Sequence, residues 1–327
     1  MKKNVRNKIL KKGEKRMASY CFGIDVGGTS IKCGLFQTDG TLMEKWEIPT
    51  CTENQGANIL PDVAGTVKEK MQEKGLKKEQ IRGIGIGIPG PVNALGEVLC
   101  AVNLYWGEKD VAKELHDLTG ILVKVGNDAN VAALGETWKG AAQGAQNVVM
   151  VTLGTGVGGG IIVNGKILSG AHGAGGEIGH AAVDHEETQS CNCGNKGCLE
   201  QTASATGIVR IAKNILESCT EESCLRNMKN MTAKDVLDAF QAEDLVAEKV
   251  MEKVGEVLGS TLAVFSCVID PEIIVVGGGV SKAGEPLLAC IRKYYKTYAF
   301  SLCKETPIVL ASLGNDAGIY GAARMVI

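Results

Sequence analysis

Apolar residues alternate with polar residues or glycine through YCFGIDV, pause at Gly-Gly-Thr, resume through SIKCGLF and, after Asp39-Gly40, continue through LMEKWEI. Strand, glycine-rich turn, strand, Asp-Gly turn, strand is the pattern of two successive antiparallel hairpins. The layout returns later. In NVVMVTLGTGVGGGIIVNGKILSG the apolar run Val148 to Leu153 enters a glycine-rich turn, leaves through Ile161 to Val163 and reverses at Asn164-Gly165. Asp25 and Thr152 hold corresponding places 127 residues apart. A separation this long exceeds any solenoid period and predicts two related lobes.

Between the hairpins, RGIGIGIPGPV reads as a buried strand running into a Pro-Gly loop, and ILVKVGNDAN as a strand ending at Asn127. Asp128 or Asn127 can cap the helix that follows, which stops before Gly140. Helical periodicity covers Ala203 to Ser218, Thr232 to Phe240 and Asp244 to Val268, and PEIIVVGGGVS is a buried strand ending in glycines. Alternating strands and helices define an α/β protein. The expected organisation is a basic, disordered extension over 1–19, a smaller lobe over 20–132 and a larger lobe over 133–315. The final helix, 316–327, is able to return to the smaller lobe.

At 327 residues the chain exceeds what one core usually accommodates, in keeping with two lobes. Formal charge is −2, yet the first sixteen residues carry eight Lys or Arg against one Glu, so the rest is near −9. An acidic body is a poor nucleic-acid binder. No run of 18 apolar residues occurs, and the basic segment lacks the apolar stretch of a secretory signal, so a cytoplasmic protein with no membrane partner is expected. Twelve cysteines are then free thiols and, for some, metal ligands.

Three glycine-rich stretches follow strands: Asp25 to Thr29, Leu153 to Gly160, and Gly277 to Ser281. Glycine lets backbone N–H groups approach phosphate oxygens that a Cβ would hold off. Each alone is equally well a tight turn. Gly154-x-Gly156-x-x-Gly159 fits a dinucleotide fingerprint but runs into the strand-like IIV. Gly160 to Lys166 nearly fits a phosphate-binding Walker loop, but Ile167 stands where Ser or Thr is needed.

Leu153 to His180, LGTGVGGGIIVNGKILSGAHGAGGEIGH, followed by CNCGNKGCLE at Cys191 to Glu200, resembles the signature of the ROK sugar kinases. These belong to the actin-like ATPase and hexokinase superfamily, and the resemblance spans Tyr20 to Ile327. GIPGPVN at Gly87 to Asn93 and AVNLYWGEKDV at Ala101 to Val111 are similar to sugar-side loops of the glucokinase branch. The resemblance implies a two-lobed actin-like ATPase (ribonuclease H-like) fold with duplicated βββαβα-type lobes. It implies Mg-ATP as co-substrate, a hexose, D-glucose, as acceptor, and a homodimer.

Residue by residue, the resemblance places Asp25, Gly27, Gly28, Thr29 and Lys32 in a first phosphate element and Gly154, Thr155 and Gly156 in a second. Gly277, Gly278 and Gly279 lie beside the adenosine. It makes Asp25 a ligand to Mg²⁺ through water, where the residues alone equally allow a turn cap. Asp128 becomes the base that accepts the sugar hydroxyl proton, where its position alone equally suits a helix cap. Asn127, Glu177, His180, Glu200 and the backbone of Gly90 bind the sugar; carboxylates suit polyols because each accepts two directional hydroxyl bonds.

Cys191, Cys193 and Cys198 with His180 offer three thiolates and an imidazole, a closed tetrahedral Zn²⁺ set, with spacing like that of the ROK zinc site. Three reduced structural cysteines are the alternative. The other nine cysteines show no ligand spacing and read as small apolar fillers, and His116, His172 and His185 as packing or surface residues. The phosphate turns lie on hairpins separate from the cysteine segment, so metal loss is expected to impair the sugar and spare the nucleotide. The competing functions are kinases for N-acetylmannosamine, fructose or allose, use of polyphosphate as donor, and a sugar-responsive repressor. A repressor would need a winged helix before Tyr20.

Overall fold

The computed structural model describes residues 19–93 and 95–327; the basic segment read as disordered lies, up to residue 18, outside the described residues. The chain forms two compact units, one ending at Asp128 and completed by Gly318–Ile327, the other Ala129–Ala317. The sequence reading set these limits at 132 and 316. Both cuts fall in the first turn of a helix, where periodicity gives no boundary signal.

In unit 1, β1 (Tyr20–Val26), β2 (Ser30–Gln37), β3 (Leu42–Pro49), β4 (Ile81–Ile88) and β5 (Val123–Asn127) form one sheet of order β3-β2-β1-β4-β5. The first three strands are antiparallel, while β4 is parallel to both β1 and β5. Side chains alternate between faces. Phe22, Ile24, Ile84 and Ile86 enter a core closed by Leu60, Val63 and Val67 of α1 (Ile59–Glu73) and by Val111 and Leu115 of α2 (Val111–Thr119).

The opposite face carries glycines. α8 (Ala317–Met325) lies so close that a Cβ on Gly23 would sit 2.0 Å from the Ile319 oxygen, and one on Gly85 1.7 Å from that of Ala322. The GIGIGI repeat therefore has two purposes: isoleucines build the core and glycines admit a helix backbone.

Unit 2 repeats the plan with β6 (Val148–Leu153), β7 (Val157–Val163), β8 (Lys166–Ile167), β9 (Ile273–Gly277) and β10 (Ile308–Leu310), ordered β8-β7-β6-β9-β10. Again the first three are antiparallel and β9 runs parallel to β6 and β10. α3 (Asp128–Lys139) packs on the glycines of β7, where a Cβ on Gly160 would lie 2.5 Å from that of Ala133. The larger core adds α4 (Ala205–Ser218), α5 (Ala233–Gln241), α6 (Leu245–Ile269) and α7 (Glu285–Tyr298).

Several sequence expectations need correction. Gly158 to Gly160 belong to β7 rather than to the turn, because strand neighbours on β6 supply their pairing. The helix expected from Ala203 breaks at Ser204, whose hydroxyl accepts the N–H of Gly207 and caps α4. Among the cysteines read as fillers, Cys100, Cys224 and Cys267 are exposed.

Candidate active site

In unit 1 the segment expected to be the first phosphate element is a tight turn closing β1 onto β2. Gly27 donates its N–H to Ser30 O at 2.9 Å, and Gly27, Gly28 and Thr29 are exposed. Thr50, just past β3, braces it, donating its hydroxyl to Gly27 O (2.7 Å) and its N–H to Thr29 O (3.0 Å). Asn103 lies beside Gly28.

Asp25 stands opposite Lys32 in the β1–β2 register and shares the sheet face of Gly23. Its carboxyl abuts Gly318, where a Cβ would be 2.5 Å away. Burial, reinforced by the charge of Asp128 and eased by that of Lys32, pushes the Asp25 carboxyl up to about 6. Asp25 and Asp128 are thus near enough to interact electrostatically. Asn127 ends β5 and donates from Nδ2 to Gly90 O at 3.1 Å. Gly90 needs its left-handed backbone, φ 105°, and a Cβ there would meet Cys100 O at 2.2 Å.

In unit 2 the segment expected to be the second phosphate element joins β6 to β7, with the Gly154 N–H donated to Gly156 O at 2.9 Å. Gly154 and Thr155 line a cavity of about 600 Å³, together with Ala205, Thr232, Leu237, Gly279 and Val280. That size and largely apolar lining suit a purine nucleoside. Gly277 and Gly278 do not line it. Gly277 closes β9 against Met150 and Ala311, and Gly278 (φ 86°) abuts the backbone of Leu153, so these glycines serve close packing.

His180, Cys191, Cys193 and Cys198 converge, their ligand atoms all within 4.8 Å of one another. Cys193 Sγ and Cys198 Sγ are 3.6 Å apart, and Cys191 Sγ is 3.8 Å from His180 Nδ1. A tetrahedral zinc with sulfur at ~2.3 Å separates its ligands by roughly 3.8 Å, so the set fits that ion. With Nδ1 turned to the thiols, His180 Nε2 is left toward Glu177, whose carboxylate is 4.0 Å away. Glu200 spans two elements: Oε1 is 3.8 Å from Cys191 Sγ, and Oε2 accepts the Val157 N–H at 2.9 Å.

A model of the ROK family matches residues 21–327. The chain belongs to the ROK family. It is 43% identical over 309 residues to a glucokinase of Halalkalibacterium halodurans, covering 93% of this chain and 94% of that protein. A ROK family glucokinase from Streptomyces griseus, solved with glucose and AMPPNP, superposes with a TM-score of 0.74 and 32% identity, covering 94% of this chain and 98% of that one. A ROK family transcriptional regulator, homologous to the E. coli MLC protein, superposes at 0.83 with 26% identity, over 95% of this chain and 78% of the regulator. The duplicated sheets of the two units are the actin-like ATPase fold of this family.

The sequence motifs that identify a ROK protein do not expose every residue that shapes its site. Thr50 and Thr206 brace the two phosphate turns from outside any motif. Asn130, buried in α3, donates to Gly175 O at 2.9 Å and anchors the segment leading to Glu177. One signal for Asn130 was present: an amide on the helix face that also carries Ala133 cannot be buried without partners.

Proposed function

We propose that the protein transfers the γ-phosphoryl group of Mg-ATP to a hexose, D-glucose, giving glucose 6-phosphate. The observation that carries this reading is a pair of braced phosphate turns on duplicated sheets, in a chain 43% identical to a glucokinase over nearly its whole length. One turn has Asp25 at its base and the other opens a nucleotide-sized cavity.

In this reading unit 1 supplies the base. Asp128 takes the proton from the attacking hydroxyl as its oxygen bonds to the γ-phosphorus, and the bond to the β-phosphate oxygen breaks with ADP leaving. By resemblance to the family, Asn127 and the Gly90 backbone bind a sugar hydroxyl, and Glu177, His180 and Glu200 are further sugar-binding residues. The N–H groups of Gly28, Thr29, Thr155 and Gly156 meet phosphate oxygens, while those of Gly27 and Gly154 are held inside their turns. Asp25 would hold Mg²⁺ through its water shell, and that ion supplies charge neutralisation to the β- and γ-phosphates. Zinc, held by His180, Cys191, Cys193 and Cys198, is structural.

All twelve cysteines are unpaired thiols, supporting a reducing, cytoplasmic setting, and no helix among the described residues is long and apolar enough to cross a membrane. A homodimer is supported by exposed Val264, Val268, Tyr298, Phe300 and Leu302 near the ends of α6 and α7, and light scattering of the purified protein tests it.

The deciding experiment is a panel of glucose, fructose, allose and N-acetylmannosamine with Mg-ATP, and glucose with polyphosphate, compared by kcat/KM. Glucose with ATP leads if the reading is right. A higher value for another pair replaces the substrate or donor, and no turnover with any removes the kinase reading. The second and weaker reading is a sugar-responsive repressor, drawn from the superposition on a transcriptional regulator, about a fifth of which has no counterpart in this chain. A shift of operator-length duplexes by the full chain, relieved by sugar, would support it.

A further inference from the structure

The segment Cys198–Thr206 begins at a metal ligand and ends on the second phosphate turn. Its start is fixed beside the other ligands: Ala182 bridges to Cys198, and the Leu199 N–H is donated to Ala181 O at 2.9 Å. Its remainder grips the turn at three successive places. Glu200 Oε2 accepts the Val157 N–H at 2.9 Å, the Ala205 N–H is donated to Gly154 O at 2.8 Å, and the Thr206 hydroxyl to Thr155 O at 3.2 Å. Gly156 completes the fit, since a Cβ there would lie 2.2 Å from Glu200 Oε2.

Separate hairpins in sequence had implied that the cysteine cluster and the phosphate turn are independent. They are not, because one nine-residue segment touches both.

We propose that metal occupancy at His180, Cys191, Cys193 and Cys198 sets the affinity for the nucleotide as well as for the sugar, with Glu200 as the positioning residue between them. The inference rests on the reading of Gly154–Gly156 as a phosphate element. With the cluster ligated, Cys198 and the residues after it are held, and the turn presents its N–H groups in one arrangement. Without it, only the backbone bonds to Ala181 and Ala182 hold the start of the segment, Glu200 and the start of α4 are held less firmly, and the nucleotide must order segment and turn on binding. The first phosphate turn, braced by Thr50, has no tie to this segment in its hydrogen bonds to Thr50.

The test is calorimetric titration of AMPPNP with Mg²⁺, and separately of glucose, into full-length protein with metal content measured. The samples are zinc-loaded wild type, wild type stripped by a chelator, the stripped sample reloaded with zinc, Cys193→Ser and Thr206→Val. Stripping and Cys193→Ser are expected to weaken AMPPNP about tenfold or more, with recovery on reloading. Thr206→Val should weaken AMPPNP while keeping its zinc. If Cys193→Ser does not fold, the stripped and reloaded wild type carry the comparison. Unchanged AMPPNP affinity in metal-free protein, or purification without stoichiometric zinc, overturns the inference alone. Failure of zinc-loaded wild type to bind AMPPNP overturns the phosphate reading and the inference together.

Discussion

The carboxylate of Glu136 accepts the backbone N–H of Leu313 at 2.9 Å. It also accepts those of Ser312 (3.1 Å) and Ala141 (2.7 Å), so one fully buried side chain ties α3 to the stretch that precedes α8. Glu136→Ala leaves three backbone donors without an acceptor. At roughly 1 kcal/mol or more each, the variant should lose about 3 kcal/mol. The thermal midpoint is then expected to drop by about 4 to 8 °C. A midpoint within a couple of degrees of wild type would show that water replaces the carboxylate.

Asp128→Asn should retain glucose binding by calorimetry while kcat falls by about 10² to 10⁴, the usual range for loss of a general base. The asparagine still fits the helix start and still meets a hydroxyl, but cannot accept its proton. Near-normal turnover would remove Asp128 from the chemistry.

The Asp25 carboxyl is pushed up to about 6 in the folded chain, from a value of 3.8 otherwise. The folded state therefore binds this proton more tightly than the unfolded state does. Its carboxylate imposes a penalty of about 2 to 3 kcal/mol that is fully present above about pH 6 and vanishes as pH falls below about 4. In the absence of Mg²⁺, Asp25→Asn should be more stable than wild type at pH 7.5 and approach it at pH 4. A stability difference that stays flat across that range contradicts the burial argument.

Two glycine-to-alanine changes in unit 1 should move stability in opposite directions. Gly65 sits inside α1 with nothing within 4 Å of an added Cβ, so alanine there should add up to about 1 kcal/mol through helix propensity. Gly85→Ala would drive a Cβ to 1.7 Å from Ala322 O and force α8 off the sheet. Denaturant midpoints for the two variants, measured together, decide the matter; equal shifts would mean that α8 does not dock there.

The strands and the turns at Asp25–Thr29 and Leu153–Gly156 were legible because alternation and the glycine-rich stretches that interrupt it are local signals. So was the four-residue metal set, whose members are brought together as their spacing suggested. Other features depend on contacts distant in sequence. Glu136 looks like an ordinary solvated helix charge until Ser312 and Leu313 arrive from 176 and 177 residues away. Ser204 interrupts a run whose apolar period continues through it, and only its capping bond to Gly207 shows the break. Gly277 and Gly278 carried the same compositional signal as Gly279, and only packing against Leu153 and Met150 separates their roles.

The docking of α8 on the glycine face of β1 and β4 has a consequence for biosynthesis. Unit 2 is one uninterrupted stretch, Ala129–Ala317, whereas unit 1 needs its last ten residues, Gly318–Ile327, to cover Gly23 and Gly85. A ribosome delivers those residues only after all of unit 2 has been synthesised. Unit 1 is thus begun before unit 2 and completed after it, and until then its uncovered sheet face is exposed apolar surface on the nascent chain.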